Sequence, residues 1–355
     1  MATSSRPRVS VTLKDVAGLV GVTPSAASMA LLGSPRISDK TKAAVHTAAA
    51  SLGYVPSSAG RALRNQRAGT IALIVPNTSQ HVFGHSYFMH ILTGVSAAAN
   101  AQDTQVLMST SSDATDGLPA YERVMRSQSA DGAIITSAAV ADFNIERLAA
   151  SGLPVVLIGN FPDLGAAISV GVDDVAASRT ITRHLIEAHG RTRLVHVTGP
   201  LDHQTGIDRL QGFEDAVAAA GISGTTRVIE GDFGEGSGAA AVDELVAGGS
   251  DFDAIVFAND DMAFGGLQAL QRHGMTVPAD VAIVGFDDFG LARATTPGIS
   301  TMHVPAEALA KMATERLFDL IDGTDQAPAH IELDVTFVPR TSCGCTTEGA
   351  ELAPY

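Results

Sequence analysis

The stretch that decides the first domain is VTLKDVAGLVGVTPSAASMALLGSP, residues 11–35, which has the pattern of two short helices separated by a turn. Its first apolar residues have the i, i+3, i+4, i+7 spacing of a helix with one buried face: Leu13, Val16, Ala17 and Val20. Gly21 supplies the turn. Thr23 is a favoured N-cap, and Pro24 stands at the first helical position, where a missing N–H costs nothing. The spacing predicts a helix-turn-helix, and therefore DNA binding.

The flanks of this stretch carry further start and stop signals. Thr12 and Asp15 have the spacing of a capping box at the start of the first helix. Ser38 can cap a third helix that runs to Leu52 and ends at Gly53. On pattern alone, the same helices also suit an ordinary three-helix bundle.

In a helix-turn-helix, the exposed start of the second helix reaches base edges in the major groove. The residues of this helix and turn that can pack inward are Val22, Ala26, Ala27, Ala30 and Leu31. Together with the two cap residues, the candidate DNA contacts of the domain are Thr12, Thr23, Pro24, Ser25, Ser28 and Met29.

Charge favours DNA binding over the plain bundle. Residues 1–67 hold nine Lys and Arg against Asp15 and Asp39, a formal charge of +7. The whole chain carries −15, so residues 68–355 carry −22. A basic head attracts phosphate, whereas an acidic body is repelled by it. Nucleic-acid binding is therefore expected from the head alone.

Length and composition allow several domains, since the chain has 355 residues, of which 45% are hydrophobic. The first ten residues, MATSSRPRVS, are polar, and no uninterrupted apolar stretch reaches membrane-spanning length. A cytoplasmic protein is expected.

Cysteine is rare, and Cys343 and Cys345 alone cannot make a disulfide framework. A Cys-x-Cys pair can hold part of a metal site, but zinc takes about four ligands, and no His or Cys stands at a recognisable spacing from the pair. His184 and His189 are five residues apart, not the four that place two ligands on one helix face. No metal or other cofactor is predicted, and these histidines are expected on a surface helix.

From Thr70 onward, short apolar segments alternate with amphipathic ones. The predicted strands are Ile71–Val75, Gln105–Ser109, Gly132–Thr136, Val155–Ile158, Leu194–Val197, Ala254–Phe257 and Val281–Gly285. The predicted helices are Phe88–Ala101, Ala176–Ala188, Ile207–Ala220, Gly238–Ala247, Met262–His273 and Ala306–Ile321. Strands separated by helices indicate an α/β body of parallel sheets, with ligand groups at the carboxyl ends of the strands. The length suits two sheets better than one.

Between the two patterns lies GYVPSSAGRALRNQRAG, residues 53–69, with signals for one short helix that begins near Pro56. A helix this short is not stable alone in water. The segment is therefore either a plain linker or a helix that orders against a partner, such as DNA or a second copy of itself.

From about Val11 to Cys345, the chain resembles the lactose-repressor/galactose-repressor family of bacterial transcription regulators. The matching segments are TLKDVAGLVGVT, ISDKT, GYVPSSAGRAL, RLQGF at 209–213, FANDDMAFG at 257–265, VPADVAIVGFDD at 277–288, TPGISTMHVP at 296–305 and PRTSCGC. The resemblance implies a homodimer whose two heads bind a pseudo-palindromic operator, most often as a repressor. It also implies a two-lobed body, like a periplasmic binding protein, with a small effector between the lobes.

The resemblance implies five segments: a helix-turn-helix domain at 1–55, a hinge helix and linker at 56–69, a first lobe at 70–160 and about 290–322, a second lobe at 161–289 and about 323–345, and a tail at 346–355. The tail lacks the heptads of a tetramer-forming helix, so a dimer is expected.

In the family, the hinge helix orders on operator DNA and inserts a leucine into the minor groove, where an apolar wedge unstacks a base step. The DNA contacts that this implies here are Ser57, Ser58, Arg61, Leu63 and Arg64. Leu63 matches the wedge. Gly60 stands where the family usually has alanine, which costs roughly 1 kcal/mol of helix propensity, and Ser57 stands where it usually has asparagine.

The second helix of the head departs from the family at Met29. Many members have an arginine there that can pair with guanine in bidentate fashion, a contact worth about 1–3 kcal/mol. Methionine offers only apolar contact, and Ser25 and Ser28 are permissive readers. The operator is therefore predicted to differ from the usual half-site of the family.

The effector contacts that the resemblance implies are Tyr87, Phe88, Thr136, Arg209, Phe233, Asn259 and Asp287. Arg209 suits a hydroxyl or carboxylate, and Asp287 can accept from hydroxyls or amines. Helix capping is the alternative role for the neighbouring carboxylates Asp260, Asp261 and Asp288.

A sugar is the first expectation for the effector, although purines and phosphosugars bind to the same scaffold. Gly159 stands where sugar-binding members often have an aspartate, and Asn160 beside it is a possible substitute. The effector is expected to act by shifting the lobe arrangement, and with it the hinge and the affinity for the operator.

The competing interpretation is a solute-binding or cofactor-dependent enzyme body fused to a DNA-binding head. The chain has no G-x-S-x-G elbow, no Walker loop, and no G-x-G-x-x-G after the first strand of the body. A regulator that is not an enzyme is therefore expected.

Overall fold

The computed structural model describes residues 11–54, 67–112, 117–162, 164, 167–325 and 328–346. The chain divides into two compact units, Met1–Ala68 and Gly69–Tyr355, here called the head and the body. The hinge residues predicted to contact DNA, Ser57, Ser58, Arg61, Leu63 and Arg64, lie outside the described residues.

The head contains the three predicted helices, α1 at Leu13–Val20, α2 at Pro24–Leu31 and α3 at Asp39–Leu52. Their apolar faces meet in one core that holds Val16, Ala17, Ala27, Ala30, Val45, Ala48 and Ala49. Small alanine side chains at the contacts let three short helices approach closely enough to exclude water.

The helix ends in the head lie where the sequence signals place them. The carboxylate of Asp15 accepts hydrogen bonds from the backbone N–H and the hydroxyl of Thr12, at 2.8 and 2.7 Å. Those two bonds lower the pKa of Asp15. The hydroxyl of Thr23 accepts from the N–H of Ala26 at 3.1 Å, and Ser38 caps α3 in the same way. The prediction of a helix-turn-helix with a third helix is confirmed.

The body alternates strands and helices as predicted, with additional elements. Its strands are β1 Thr70–Thr78, β2 Gln105–Ser111, β3 Gly132–Thr136, β4 Val155–Ile158, β5 Ile168–Val172, β6 Leu194–Thr198, β7 Arg227–Glu230, β8 Ala254–Phe257, β9 Ala282–Val284, β10 Thr301–His303, β11 His330–Leu333 and β12 Thr336–Val338. Its helices are α4 Ser79–Gly84, α5 Ser86–Ala101, α6 Leu118–Ser127, α7 Phe143–Ala150, α8 Asp174–His189, α9 Gln204–Ala219, α10 Glu235–Ala247, α11 Asp260–Arg272, α12 Leu291–Ala294 and α13 Ala306–Asp322. Short 3-10 turns cover Ser223–Thr225 and Thr341–Cys343.

The first lobe is built on a six-stranded sheet in the order β11-β5-β4-β3-β1-β2, and every neighbouring pair is parallel. Alternate residues of β1 face opposite sides. Leu73 packs in the core that includes α5 and α13, whereas Ile74 packs in the core that includes α6 and α7. Both faces of the sheet are therefore covered, as buried parallel strands require.

The second lobe is built on a four-stranded parallel sheet in the order β7-β6-β8-β9. Val195 and Val197 of β6 pack on the side of α10 and α11, while Leu194 packs on the side of α8 and α9. The predicted arrangement, two parallel sheets covered by helices, is confirmed.

The division of the chain between the lobes differs from the prediction. Residues 161–289 and 323–345 were predicted to lie in the second lobe, but β5 and β11 extend the first sheet, where Leu157 pairs with Ser169 and Val170 pairs with Ile331. The prediction was wrong at these boundaries. Without β5, the buried strand β4 would present an unpaired backbone edge, which is costly in an apolar interior.

Three stretches of chain join the lobes. Chain passes from β5 into α8, from the β9 region through β10 into α13, and from β11 through β12 to the end of the described residues. Strands β10 and β12 pair antiparallel, with Met302 opposite Phe337. Among the described residues, none of the helices is both long and apolar enough to cross a membrane.

Candidate functional site

The start of α2 is the exposed edge of the head that the sequence predicts. Thr23, Pro24 and Ser25 are exposed and Ser28 and Met29 are half-buried, whereas Ala27 and Ala30 are buried on the opposite side. The hydroxyls of Thr12 and Thr23 also have structural roles, in a bond to Asp15 and as the cap of α2. The helix thus presents a short row of small polar groups and one thioether.

The head also carries exposed cations. Lys14, Arg36 and Lys40 are exposed, and the ammonium of Lys42 lies 3.2 Å from the carboxylate of Asp39 on the same helix. Exposed cations with few acidic neighbours are available to phosphate groups.

The body contains a cavity between its lobes. First-lobe residues on its wall include His81, His85, Tyr87, Phe88, Asn160 and Phe161, and second-lobe residues include Asp174, His203, Arg209, Phe233, Asn259, Asp261 and Asp287. Six of the seven predicted effector contacts are on this wall. Thr136 is not. It is buried, and its hydroxyl lies 3.3 Å from the phenol oxygen of Tyr87, so it supports that side chain from behind.

Arg209 is a buried residue of the second-lobe wall. Its Nε donates to Asp174 Oδ1 at 2.8 Å, and its Nη1 lies 3.7 Å from Asp287 Oδ1. The guanidinium carbon stands 3.6 Å from the centre of the Phe286 ring, a cation–π contact. The planar group is thus fixed between two carboxylates and an aromatic face. Arginine suits such a site better than lysine, because its guanidinium donates several hydrogen bonds in one plane and stacks on rings.

Burial and the charge of Arg209 shift the pKa values of the neighbouring carboxyl groups in opposite directions. Burial raises the pKa of Asp287 well above its usual value, and the Arg209 charge opposes that rise. Burial also raises the pKa of Asp174, again against the effect of Arg209. On the facing lobe, burial raises the pKa of Tyr87 to about 12, so its phenol remains a neutral donor and acceptor. One cation held between two acidic side chains suits a neutral polyhydroxylated ligand.

Asn259 is a positioning residue in this arrangement. Its Oδ1 accepts from the N–H of Met262 and caps α11, and its Nδ2 donates to the backbone oxygen of Phe233 at 2.9 Å. The capping role that the sequence suggested for the neighbouring aspartates belongs to Asn259 itself. Asp260 instead accepts from the N–H of Asp288 at 2.8 Å.

The Phe233 ring rests against Gly199, directly after β6. An added Cβ at Gly199 would lie 2.0 Å from the ring carbon Cζ. Only glycine allows this approach. The backbone of Phe233 has φ of 65° and is held by Asn259, so the ring has little freedom to retreat.

We expect Gly199→Ala to displace the Phe233 ring and to lower the free energy of unfolding by about 1–3 kcal/mol, as overpacking does. Affinity for the effector should fall with it, because the ring forms part of the cavity wall. Gly224→Ala is the matched control, since a Cβ there meets nothing within 4 Å. Urea unfolding and calorimetric ligand titration measure both effects. Equal behaviour of the two variants would show that the ring does not depend on Gly199.

Histidines that the sequence prediction missed also line the cavity. Nδ1 of His85 in the first lobe lies 3.4 Å from Asp261 Oδ2 in the second. Burial, with help from His85 and His203, lowers the pKa of His81 to about 4. His81 is therefore neutral near pH 7 and can both donate and accept. The spacing of four between His81 and His85 was the available signal.

The lobes meet at two other points beside the cavity. The N–H of Val140 donates to the backbone oxygen of Asp202 at 2.7 Å. Nδ2 of Asn160 lies 3.3 Å from Asp208 Oδ2, so the side chain that was considered as a substitute for aspartate bridges the lobes.

A second cluster of side chains lies away from the cavity wall. His184, His189, Cys343 and Cys345 place one ligand atom each within 4.8 Å of one another. The expectation that no histidine partners the cysteine pair was wrong, because partners separated by about 155 residues in the chain meet in the fold. Both histidines are partly buried, whereas a surface helix was expected.

The comparisons with known proteins agree with this architecture. Residues 12–57 match bacterial regulatory proteins of the lacI family, and residues 182–343 match the periplasmic binding protein-like domain. The HTH-type transcriptional regulator CelR of Thermobifida fusca is 33% identical over 338 residues, which cover 93% of this chain and 98% of that protein. The chain belongs to the lacI family of bacterial regulatory proteins. The predicted family and fold class are therefore confirmed.

Solved structures of lacI-family proteins have the same fold over nearly the whole chain. A complex of the transcriptional regulator CelR with cellobiose matches with a TM-score of 0.71 at 31% identity, covering 94% of this chain and 99% of that one. The Lac repressor dimer bound to operator and the anti-inducer ONPF matches with a TM-score of 0.84 at 24% identity, with the same coverage.

Proposed function

We propose that this lacI-family regulator is a repressor whose affinity for operator DNA is controlled by a neutral sugar bound in the cavity between the lobes. The proposal rests on one cavity, formed by both lobes, whose wall includes Arg209, Asp287, Phe233 and Tyr87. A ligand in that position touches both lobes, so its affinity depends on their arrangement.

The chemistry of the wall favours a sugar over the other ligands of the scaffold. Hydroxyls need paired donors and acceptors, which the guanidinium of Arg209 and the carboxyl of Asp287 provide side by side. The rings of Phe161 and Phe233 supply apolar faces for the C–H face of a pyranose. A phosphosugar calls for a concentration of positive charge, whereas Arg209 lies between two acidic side chains. The relative that forms a complex with cellobiose supports a β-linked disaccharide as the first candidate.

The operator is read by the head of each protomer in a homodimer. The proposed base and phosphate contacts of each head are Thr12, Thr23, Pro24, Ser25, Ser28 and Met29. Ser57, Ser58, Arg61, Leu63 and Arg64 of the linker add the proposed minor-groove and phosphate contacts. The Lac repressor, which binds its operator as a dimer, supports this assembly.

Control by the sugar follows from thermodynamic linkage. His85 with Asp261, and Asn160 with Asp208, connect the lobes beside the cavity, and a ligand that stabilises one arrangement of these contacts shifts the population toward it. The linker leaves the first lobe at Gly69, whose N–H is held by Asp131 at 2.7 Å. A change of lobe arrangement therefore acts on the segment that the resemblance identifies as a hinge.

The lobes are proposed to comprise β1–β5 with α13 and β11 in the first, and α8 to β9 in the second. We propose that the protein acts in the cytoplasm and binds its ligand without converting it. Unchanged sugar recovered after prolonged incubation, judged by chromatography, is the expected result for a regulator.

The test of the ligand class is a thermal-shift screen with cellobiose, monosaccharides, phosphosugars and purines. A ligand of the native state raises the melting temperature by mass action. We expect neutral disaccharides to give the largest shift in the wild type and none in Asp287→Asn. A purine or phosphosugar that gave the largest shift would overturn the sugar assignment while leaving the family intact.

Met29 is expected to set the operator sequence of this protein. Met29→Arg introduces a side chain that pairs with guanine, which changes the preference at one base pair of each half-site by about 1–3 kcal/mol. Selection of binding sites from random DNA measures the change. Leu32→Arg is a control for added charge, because Leu32 is exposed after α2 rather than at its start. An unchanged selected sequence for Met29→Arg would refute this role.

A further inference from the structure

The geometry of four side chains in the second lobe points to a structural metal site outside the effector cavity. His184 and His189 lie in the last two turns of α8, and Cys343 and Cys345 follow β12 near the carboxyl end of the described residues. None of the four lines the effector cavity. We propose that they bind one Zn²⁺ ion per chain.

Four of the six distances among these atoms are close to the edges of a zinc tetrahedron, and all six are within 4.8 Å. Nε2 of His184 lies 3.1 Å from Nε2 of His189, 3.6 Å from Cys343 Sγ and 3.4 Å from Cys345 Sγ. Nε2 of His189 lies 3.5 Å from Cys345 Sγ. Zn–N bonds of about 2.0 Å and Zn–S bonds of about 2.3 Å give tetrahedral N···N and N···S edges of roughly 3.3 and 3.5 Å. Two nitrogens and two sulfurs in this geometry are a donor set that selects zinc.

A tight turn at Gly344 and a contact from Phe337 hold the four atoms together. Gly344 separates the two cysteines and has φ of 108°, in the region that glycine favours. A Cβ there would lie 3.0 Å from Nδ1 of His189. The turn therefore lies directly against the imidazole, with both sulfurs on the histidine side. The ring of Phe337 packs at 4.6 Å against that of His184 and fixes its orientation.

Hydrogen bonds among these four side chains would be weak. Both histidines direct Nε2 toward the same point, and thiols are weak donors and acceptors. A metal gives each of the four atoms a bond, with two thiol protons released to solvent as the thiolates form. The hydroxyl of Ser300 lies 3.0 Å from Cys343 Sγ, where it can donate to a thiolate and supply the outer hydrogen bond common at such sites.

Four protein ligands leave no open position, so the site is structural rather than catalytic. It joins the end of α8 to the segment after β12, and both elements follow crossings between the lobes. The metal thus fastens the returning chain to the second lobe, at the end of α8 that is distant from the crossing out of β5.

The test uses the full-length chain without an affinity tag, purified under argon in buffer cleared of metal. Mass spectrometry of the metal content is expected to give about one zinc per chain. Chelation after treatment with a mercurial thiol reagent should remove it and, once the reagent is displaced, lower the melting temperature by roughly 2–4 °C or more. Co²⁺ in place of zinc should give a thiolate charge-transfer band and tetrahedral d–d absorption.

Two variants separate the site from general folding. Cys345→Ser and His189→Gln change partly exposed side chains, and each should abolish stoichiometric zinc while retaining the circular dichroism of the wild type. The control is His273→Gln, which changes a histidine at the end of α11 beside Asp243. This variant should keep one zinc per chain. The proposal is overturned if the wild type holds no zinc after incubation with ZnCl₂ and desalting, if either ligand variant keeps it, or if Cys343 and Cys345 form a disulfide under argon.

Discussion

Arg209→Gln is expected to abolish the response to the effector and to lower the free energy of unfolding by about 3–5 kcal/mol, the range for removal of one partner from a buried ion pair. Arg209 is 6% exposed, and its removal leaves the buried carboxyl groups of Asp174 and Asp287 without the cation that they share. Effector affinity should fall by at least about 30-fold, since loss of a buried charged partner costs roughly 2–5 kcal/mol of binding. Urea unfolding and calorimetry measure the two losses.

The control for Arg209→Gln is Arg227→Gln. Arg227 forms a comparable pair with Glu244 at 2.8 Å, but both side chains are about half exposed. Its removal should cost only about 0–1 kcal/mol and leave the effector affinity unchanged. The double variant Arg209→Gln/Asp174→Asn should be less destabilised than Arg209→Gln alone, because the second change removes the carboxylate left without its partner. Equal stability of all these variants would contradict the proposed role of the buried pair.

Operator affinity is expected to fall about 10³–10⁵-fold between 50 and 200 mM salt, if the two heads of a dimer together neutralise about 6–10 phosphates. Residues 1–67 carry a formal charge of +7 and the remainder −22, so the positive charge that attracts phosphate is in the head. Sugar affinity should change little over the same range, because the ligand is neutral and Arg209 is buried with its own counterions. Fluorescence anisotropy with labelled operator gives the slope.

Lys40→Gln and Lys311→Gln form a matched pair for this slope. Both lysines are exposed, one in the head and the other in the body beside Glu315 at 3.9 Å. Loss of a phosphate contact from each head should reduce the magnitude of the logarithmic slope by about 1 per contact. Lys311→Gln should leave it unchanged. A slope near zero in the wild type would exclude electrostatic DNA binding by the head.

Local signals predicted the head almost to the residue. Ser38 as cap and Gly53 as stop bound α3 as observed, because capping depends on residues within one turn of the helix end. The body was predicted as an alternation of elements, but not its assignment to sheets. The position of β5 depends on pairing with β4, which no pattern inside Ile168–Val172 reveals. Short strands such as β10 and β12 were missed for the same reason.

The cavity between the lobes was predicted from the family resemblance rather than from a sequence pattern. The roles of the individual side chains in it were harder to predict. Asn259 was predicted to contact the ligand; it lies on the cavity wall, and its amide also caps α11 and holds the Phe233 loop. Thr136 was predicted at the site and lies behind Tyr87. The His–Cys cluster was dismissed because metal-ligand spacings were sought along the chain. These ligands come from segments that meet only after the chain has left the second lobe and returned to it. Contacts of that kind are a property of the fold.

The central claim is that a ligand in the body changes the affinity of the head for DNA. Operator titrations of the wild type with and without saturating cellobiose, at constant salt, test it most directly. A change in the operator Kd of about 5–150-fold, absent in Arg209→Gln, is the expected result. A sugar that raises the melting temperature of the wild type but leaves its operator Kd unchanged would contradict the account.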